Sequence, residues 1–200
     1  MLIGSRPGSS ADMLVVGLCN PGDRYAPTRH NAGRWVVDEL VRRHGGRLRR
    51  ARRQQALVCE LHLAGGSVAA AAPVTWMNES GRAVAPLVRR FRIKDLGSLV
   101  VVHDDMDLPV GRLKVKTGGG IAGHNGLKSI RAHLRSDAFT RVRIGVGRPD
   151  FTPTGGDYVL KRPGRAEQAE LEAAVDRAVD AIEHLHVHGI ESTMNRFNAP

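Results

Sequence analysis

The spacing of apolar residues divides the chain into alternating strands and helices. Leu14 to Leu18 is a short apolar run that predicts a buried strand, and it breaks at the turn signal Asn20-Pro21-Gly22. A helix is predicted from about Asn31 to His44, with Trp35, Val36, Leu40 and Val41 inward and Gly45-Gly46 as its stop. Arg47 to Arg53 reads as a basic surface connection. Ala56 to Leu63 and Ser67 to Ala72 flank Gly65-Gly66 as the two arms of a hairpin. Ser80 to Phe91 is the next helix, and Leu99 to Val102 a second buried strand, followed by the polar stretch His103-Asp104-Asp105-Met106-Asp107. Gly111 to Lys116 reads as a strand with basic residues on one face, and Gly118-Gly119-Gly120 opens a loop. Asn125 to Leu134 follows as a helix with the seam Leu127, Ile130 and Leu134. Arg141 to Gly147 alternates Val142, Ile144 and Val146 with Arg141 and Arg143, a strand with one polar face. After a Pro/Gly-rich connection, Arg165 to His188 is a long helix with Leu171, Val175, Ala178, Val179, Ile182 and Leu185 inward.

Strands mixed with helices throughout imply an α/β fold: a single-domain sandwich with a twisted mixed β-sheet flanked by helices. The domain is expected to span 13–200, after a Gly/Ser-rich flexible leader, Met1 to Asp12. A length of 200 residues suits one core, and 42% hydrophobic residues argue against wholesale disorder. No run of about 18 apolar residues is present, so no membrane span is expected. No basic stretch leads into an apolar segment at the start, so a secretory signal is not expected either. Cys19 and Cys59 fit neither a zinc pair nor a disulfide framework, which makes the cytoplasm the simplest compartment.

Charge narrows the partners. Thirty Lys and Arg against twenty Asp and Glu leave +10, which favours a polyanion. Four Phe, two Trp and two Tyr are too few for a platform that stacks single-stranded bases. An RNA partner would therefore be held by shape and phosphate contacts.

Polar residues collect where elements end: Asn20 after the first strand, His30 at the start of the first helix, Asn78 before the second, Asp104 after the second buried strand, and Asn125 opening the helix beyond the glycines. In open α/β sheets such positions gather in one crevice. A histidine with a carboxylate partner is held in one tautomer and made more basic. No Ser, Thr or Cys stands out as a paired nucleophile, so the base would activate water directly. The carboxamides of Asn20, Asn78 and Asn125 can donate to a carbonyl and accept from water or a peptide N–H. The competing reading is that the asparagines cap helices and fill turns.

Other patterns are rejected. Gly17-Leu18-Cys19-Asn20-Pro21-Gly22 has a cysteine where a dinucleotide fingerprint needs its middle glycine, and Gly118 to Gly120 lacks the lysine-hydroxyl pair of a phosphate-binding loop. His184 and His188 share a helix face without an acidic partner, and Asp104, Asp105 and Asp107 point apart on a strand end.

Taken in order, five blocks closely resemble bacterial peptidyl-tRNA hydrolases. They are Leu14 to Gly22 with Tyr25 and Thr28-Arg29-His30-Asn31-Ala32-Gly33; Thr75-Trp76-Met77-Asn78 with Ser80-Gly81; His103 to Pro109; Gly118-Gly119-Gly120 with Gly123 to Ile130; and Arg141 to Pro149 with Asp157-Tyr158-Val159-Leu160. The resemblance implies a monomeric, cytoplasmic, metal-free hydrolase, without cofactor, that recycles tRNA from prematurely released peptidyl-tRNA. It implies His30 as the base, Asp104 as its orienting partner, Asn20 and Asn78 as peptide-positioning groups, and Asn125 as holder of water or oxyanion. Met77 would wall the peptide channel and Tyr25 lie beside the base. Lys116 and Arg143 would clamp the tRNA 5′ phosphate, so that acceptor stem and 3′ end are both engaged. Cys19, Glu79 and Ile121-Ala122 depart from the family's pattern. Two rival classes are an esterase or amidase on a small N-acyl substrate and a non-catalytic RNA-binding relative.

Overall fold

The computed structural model describes residues 10–148 and 155–199. Most of the expected leader, up to residue 9, lies outside the described residues, as does Pro149. In chain order the elements are β1 (Met13–Gly17), α1 (Ala32–Arg43), β2 (Arg49–Ala51), β3 (Ala56–Leu63), β4 (Gly66–Pro73), α2 (Ser80–Arg90), β5 (Leu99–Asp105), β6 (Leu113–Thr117), α3 (Asn125–Leu134), β7 (Thr140–Gly145), α4 (Gly155–Val159) and α5 (Arg165–Phe197).

Seven strands form one sheet in the order β2-β3-β4-β1-β5-β7-β6. β4, β1, β5 and β7 run parallel, whereas β2, β3 and β4 pair antiparallel with one another and β6 pairs antiparallel with β7. The alternation in β1 shows why two helical layers are needed. Met13 and Val15 enter the core under α1 and α5, and Leu14 and Val16 enter the core under α2 and α3. β1 lies between β4 and β5, and the chain leaves β1 and β4 for helices on opposite faces. A crevice opens beyond the carboxyl ends of the strands at that switch point.

Two glycines set the depth of α1. A Cβ on Gly17 would lie 2.1 Å from the Gly33 carbonyl oxygen, and one on Gly33 would lie 2.3 Å from the Val102 carbonyl oxygen. The helix therefore rests on β1 and β5 backbone to backbone.

Three expectations change. Arg49–Ala51 within the predicted basic connection is an edge strand on β3. Its arginines are exposed and blunt the edge, which leaves no apolar alternation to read. β5 continues through His103, Asp104 and Asp105, which pair with Arg143, Ile144 and Gly145 of β7, so these polar residues stand inside a buried strand rather than after it. The last helix runs on to Phe197 but is broken at Gly189 (φ 77°, ψ 177°), next to the predicted end at His188. His184 there bonds Thr193 (Nδ1 to Oγ1, 3.0 Å), with its ring 4.4 Å from that of His188. No helix among the described residues is long and apolar enough to cross a membrane.

Candidate active site

A 3₁₀ turn, Arg29–Asn31, carries His30, and both flanking residues are tied down. Buried Arg29 pairs with Glu167 of α5, donates to the carbonyls of Lys161 and Arg162 at 3.1 Å, and lies over the Tyr158 ring at 4.2 Å. Asn31 grips the end of β1 from the other side. Its Oδ1 accepts from the Asn20 N–H at 2.8 Å and its Nδ2 donates to the Asn20 carbonyl at 3.0 Å. With 29 and 31 fixed, His30 between them is held at the crevice.

Its partner is Asp104, only 3% exposed near the end of β5. His30 Nδ1 lies 2.9 and 3.0 Å from the two carboxylate oxygens. An ionised carboxylate only accepts, so Nδ1 carries the proton and Nε2 keeps its lone pair. His124 Nε2 also reaches Asp104 Oδ1, at 3.1 Å. The tautomer of His124 follows from its place as N-cap of α3, where Nδ1 accepts from the N–H groups of Gly126 and Leu127 at 3.1 and 3.4 Å. Nε2 must then donate to the carboxylate. Burial alone would raise the pKa of Asp104, but the two imidazoles outweigh it and hold the carboxyl well below its usual range.

His103 stands behind this pair. Its Nδ1 donates to the Asp104 carbonyl at 2.7 Å, and its ring packs edge-on against His124 with centroids 4.9 Å apart. Burial, reinforced by His124, pushes its pKa down to about 3. It is a neutral histidine. Asp105 turns to Arg143 (2.7 Å to Nε) and accepts from the Asp107 N–H at 2.9 Å. Burial opposes its ionisation, but those bonds lower its pKa overall. The three aspartates do diverge: Asp107 pairs with Arg148.

A cavity of about 250 Å³ is lined by His30, Asp104, His124, Asn125, Arg141 and Arg143, among others. Of the residues predicted from sequence, it brings together His30, Asp104, Asn125 and Arg143. Asn20, Asn78, Tyr25, Met77 and Lys116 lie outside that lining. Asn20 is buried and its side-chain oxygen accepts from the Met77 N–H at 2.9 Å, so half of its amide is already engaged. Met77 is buried with its sulfur over Gly126. Asn78 follows it and is exposed. Tyr25 packs edge-on against Trp76, with centroids 5.7 Å apart, and Trp76 is half exposed. Lys116 stands opposite Arg141 in the β6–β7 register.

The departures from the family pattern find ordinary places. Cys19 is buried against the Pro73 carbonyl, and burial pushes its thiol up to about 11. Glu79, at the N-cap of α2, accepts from Arg82 one turn into that helix. Ile121 packs on the core formed with α3, whereas Ala122 takes a left-handed φ of 46° in the rim loop, a strained choice for a residue with a Cβ.

His124, Asn31 and Arg141 are site residues that spacing alone did not single out. His124 directly precedes a predicted helix start, the one local signal that marks a cap. His30, Asp104 and His124 also offer one ligand atom each within 4.8 Å, the grouping among the described residues that fits a metal ion. Through the nitrogens that face Asp104, each imidazole would have to move its proton to its other ring nitrogen to bind one there, which for His124 would displace its cap bonds to Gly126 and Leu127.

Comparison with known proteins agrees on one family. A family model described as peptidyl-tRNA hydrolase matches residues 14–200. A peptidyl-tRNA hydrolase of Rubrobacter xylanophilus is 51% identical over 187 residues, covering 92% of this chain and 99% of that protein. One of Alkalilimnicola ehrlichii is 50% identical over 173 residues, covering 86% and 87%. The crystal structure of a peptidyl-tRNA hydrolase from Acinetobacter baumannii superposes with a TM-score of 0.89 at 35% identity over 98% of both chains.

Proposed function

The chain belongs to the peptidyl-tRNA hydrolase family, and from that membership we propose how its residues divide the cleavage of the ester between a peptide and the terminal ribose of its tRNA. The observation that carries the reading is the imidazole of His30, bonded through Nδ1 to both oxygens of a buried carboxylate and bordering a cavity shared with Asn125. Nε2 of His30 takes a proton from water as the water oxygen attacks the ester carbon. Asp104 stabilises the imidazolium that forms, and His124 keeps Asp104 in place. The Asn125 carboxamide holds the water or the developing oxyanion. The proton then passes from His30 to the departing ribose hydroxyl. No metal takes part.

Asn20 and Asn78 position the peptide, Asn20 through the amide nitrogen that its bond to Met77 leaves available. Met77 and Tyr25 border the peptide's path. Lys116 and Arg143 hold the tRNA 5′ phosphate beyond the acceptor stem, in keeping with the net charge of +10. The enzyme works as a cytoplasmic monomer that returns tRNA from peptidyl-tRNA lost by the ribosome.

An assay of N-acetyl-aminoacyl-tRNA beside unblocked aminoacyl-tRNA, with chelator present, tests the reading. Release from the blocked substrate alone, undiminished by chelator, is expected. Chelator-sensitive release would remove the water-activating role from His30 acting without a metal. Turnover indifferent to the tRNA body and to salt would instead favour a small N-acyl substrate.

A further inference from the structure

Arg141 is a buried cation with an unusual set of partners. The residue is 3% exposed, and its Nη atoms donate to the carbonyls of Gly118 and, at 2.7 Å, Gly120. Both acceptors are uncharged. Its Nε is buried without a hydrogen-bond partner among the described residues. A buried charge normally meets a counter-charge or has every donor satisfied.

The surroundings add to the imbalance. Lys116 stands opposite Arg141 across the β6–β7 pair and Lys114 opposite Arg143, so four cations share one face of the sheet edge. The middle of the glycine loop rests on two of them. A Cβ on Gly119 would lie 2.7 Å from Lys116 Nζ and 3.4 Å from Arg141 Nη2. Burial and then Arg143 work against the charge of Arg141 more than Asp105 and Asp137 support it. An anion at this edge would relieve the crowding and could accept the idle Nε–H without breaking either bond to the loop.

The loop leads straight to the chemistry. Four residues beyond Gly120, His124 caps α3 and donates to Asp104, and Asn125 follows. The far end of the loop is thus fastened by His124 and the near end by Arg141. We propose that Arg141 is a positioning residue that couples anion occupancy of the Lys116–Arg143 edge to the order of the loop carrying His124 and Asn125. A phosphate bound by Lys116, Arg143 and Arg141 Nε tightens the two-pronged grip on Gly118 and Gly120 and so raises turnover as well as affinity. This rests on Lys116 and Arg143 being the phosphate clamp.

The test compares N-acetyl-aminoacyl-tRNA bearing a 5′ phosphate with the same substrate bearing a 5′ hydroxyl. In the wild type the phosphate is expected to lower KM and to raise kcat on the order of tenfold, within the usual range of coupling between sites. In Arg141→Gln the KM difference persists while the kcat difference shrinks to about twofold or less. Arg141→Lys, which keeps the charge but not the double grip, behaves like Arg141→Gln. A full phosphate-dependent step in kcat in either variant overturns the proposal.

Amide exchange of residues 118–124 in the wild type needs no variant to fold. A 5′-phosphorylated acceptor-stem duplex should slow it well beyond what the 5′-hydroxyl duplex does, and equal exchange overturns the coupling. If the wild type and Lys116→Ala share one KM for both substrates, the clamp itself is wrong. If KM discriminates in the wild type and kcat does not, the coupling alone is wrong.

Discussion

At the crevice, the Asp104 carboxylate, 3% exposed, accepts from His30 and His124, and so holds each imidazole in a defined tautomer. At the sheet edge, Lys116 and Arg141 face each other across two strands, and the Arg141 guanidinium donates to two backbone carbonyls rather than to a carboxylate among the described residues. The first region has settled its charges internally, which holds the His30 ring in one orientation. The second retains unbalanced positive charge, which costs stability in the free protein and is relieved by a polyanion. Arg141 and Arg143 belong to both, since each lines the crevice cavity, and Arg143 also pairs with Asp105. On the proposed function, chemistry and affinity fall to adjacent but differently built parts of one sheet.

The largest effect should come from the settled region. His30→Ala, or Asp104→Asn, is expected to lower kcat on the order of 10²–10⁴ while leaving the salt dependence of tRNA binding as it was. Single-turnover rates and a salt titration of binding measure the two halves of that statement, and near-normal turnover would end the role of His30.

Next comes acid stability. His103 is neutral in the folded protein, with its pKa pushed from 6.5 down to about 3. Between those values the unfolded chain binds the extra proton, so stability is full above about pH 6.5 and is lost as pH falls towards 3, by up to a few kcal/mol. Asp104, held below its ordinary range, adds a loss in the same direction at the acid end. His103→Gln should flatten the urea midpoint against pH across that window. An unchanged slope would mean that His103 takes up its proton without unfolding.

A smaller effect is expected at the edge. Lys116→Ala or Arg143→Ala should reduce the slope of log affinity against log salt by about 1 and weaken tRNA binding at low salt. A slope identical to wild type would take that residue out of the clamp and blur the contrast between the two regions. The smallest concerns the cap. His124→Ala should cost about 1 kcal/mol in urea unfolding. His124→Asn, able to cap α3 but too short for Asp104, should recover that stability and not the turnover.

Much of this was legible in the sequence because the relevant physics is local. The strand–turn–helix order and the inward faces of α1, α3 and α5 follow from periodicity, and of the five polar residues read at element ends His30, Asp104 and Asn125 line the cavity while Asn20 and Asn78 do not. Arg49–Ala51 was hidden because an edge strand protected by charge has no apolar alternation. His103 to Asp105 read as a polar stretch after the strand because buried polar residues break the pattern of an inner strand, although they form part of β5. His124 was hidden for a different reason: histidine is not among the usual capping residues, and its bond to Asp104 spans 20 positions. Arg141 reads as one arginine of an alternating pair, and only the position of the glycine loop gives it two carbonyl partners.

The contact between Gly17, Gly33 and the Val102 carbonyl has an evolutionary consequence. The base and its carboxylate are carried by segments that touch through main-chain atoms, with no side chain as spacer. Large residues elsewhere in the two cores can drift and repack without stretching the 2.9 Å contact between His30 and Asp104. One methyl group added at either glycine would prise the helix away from the sheet.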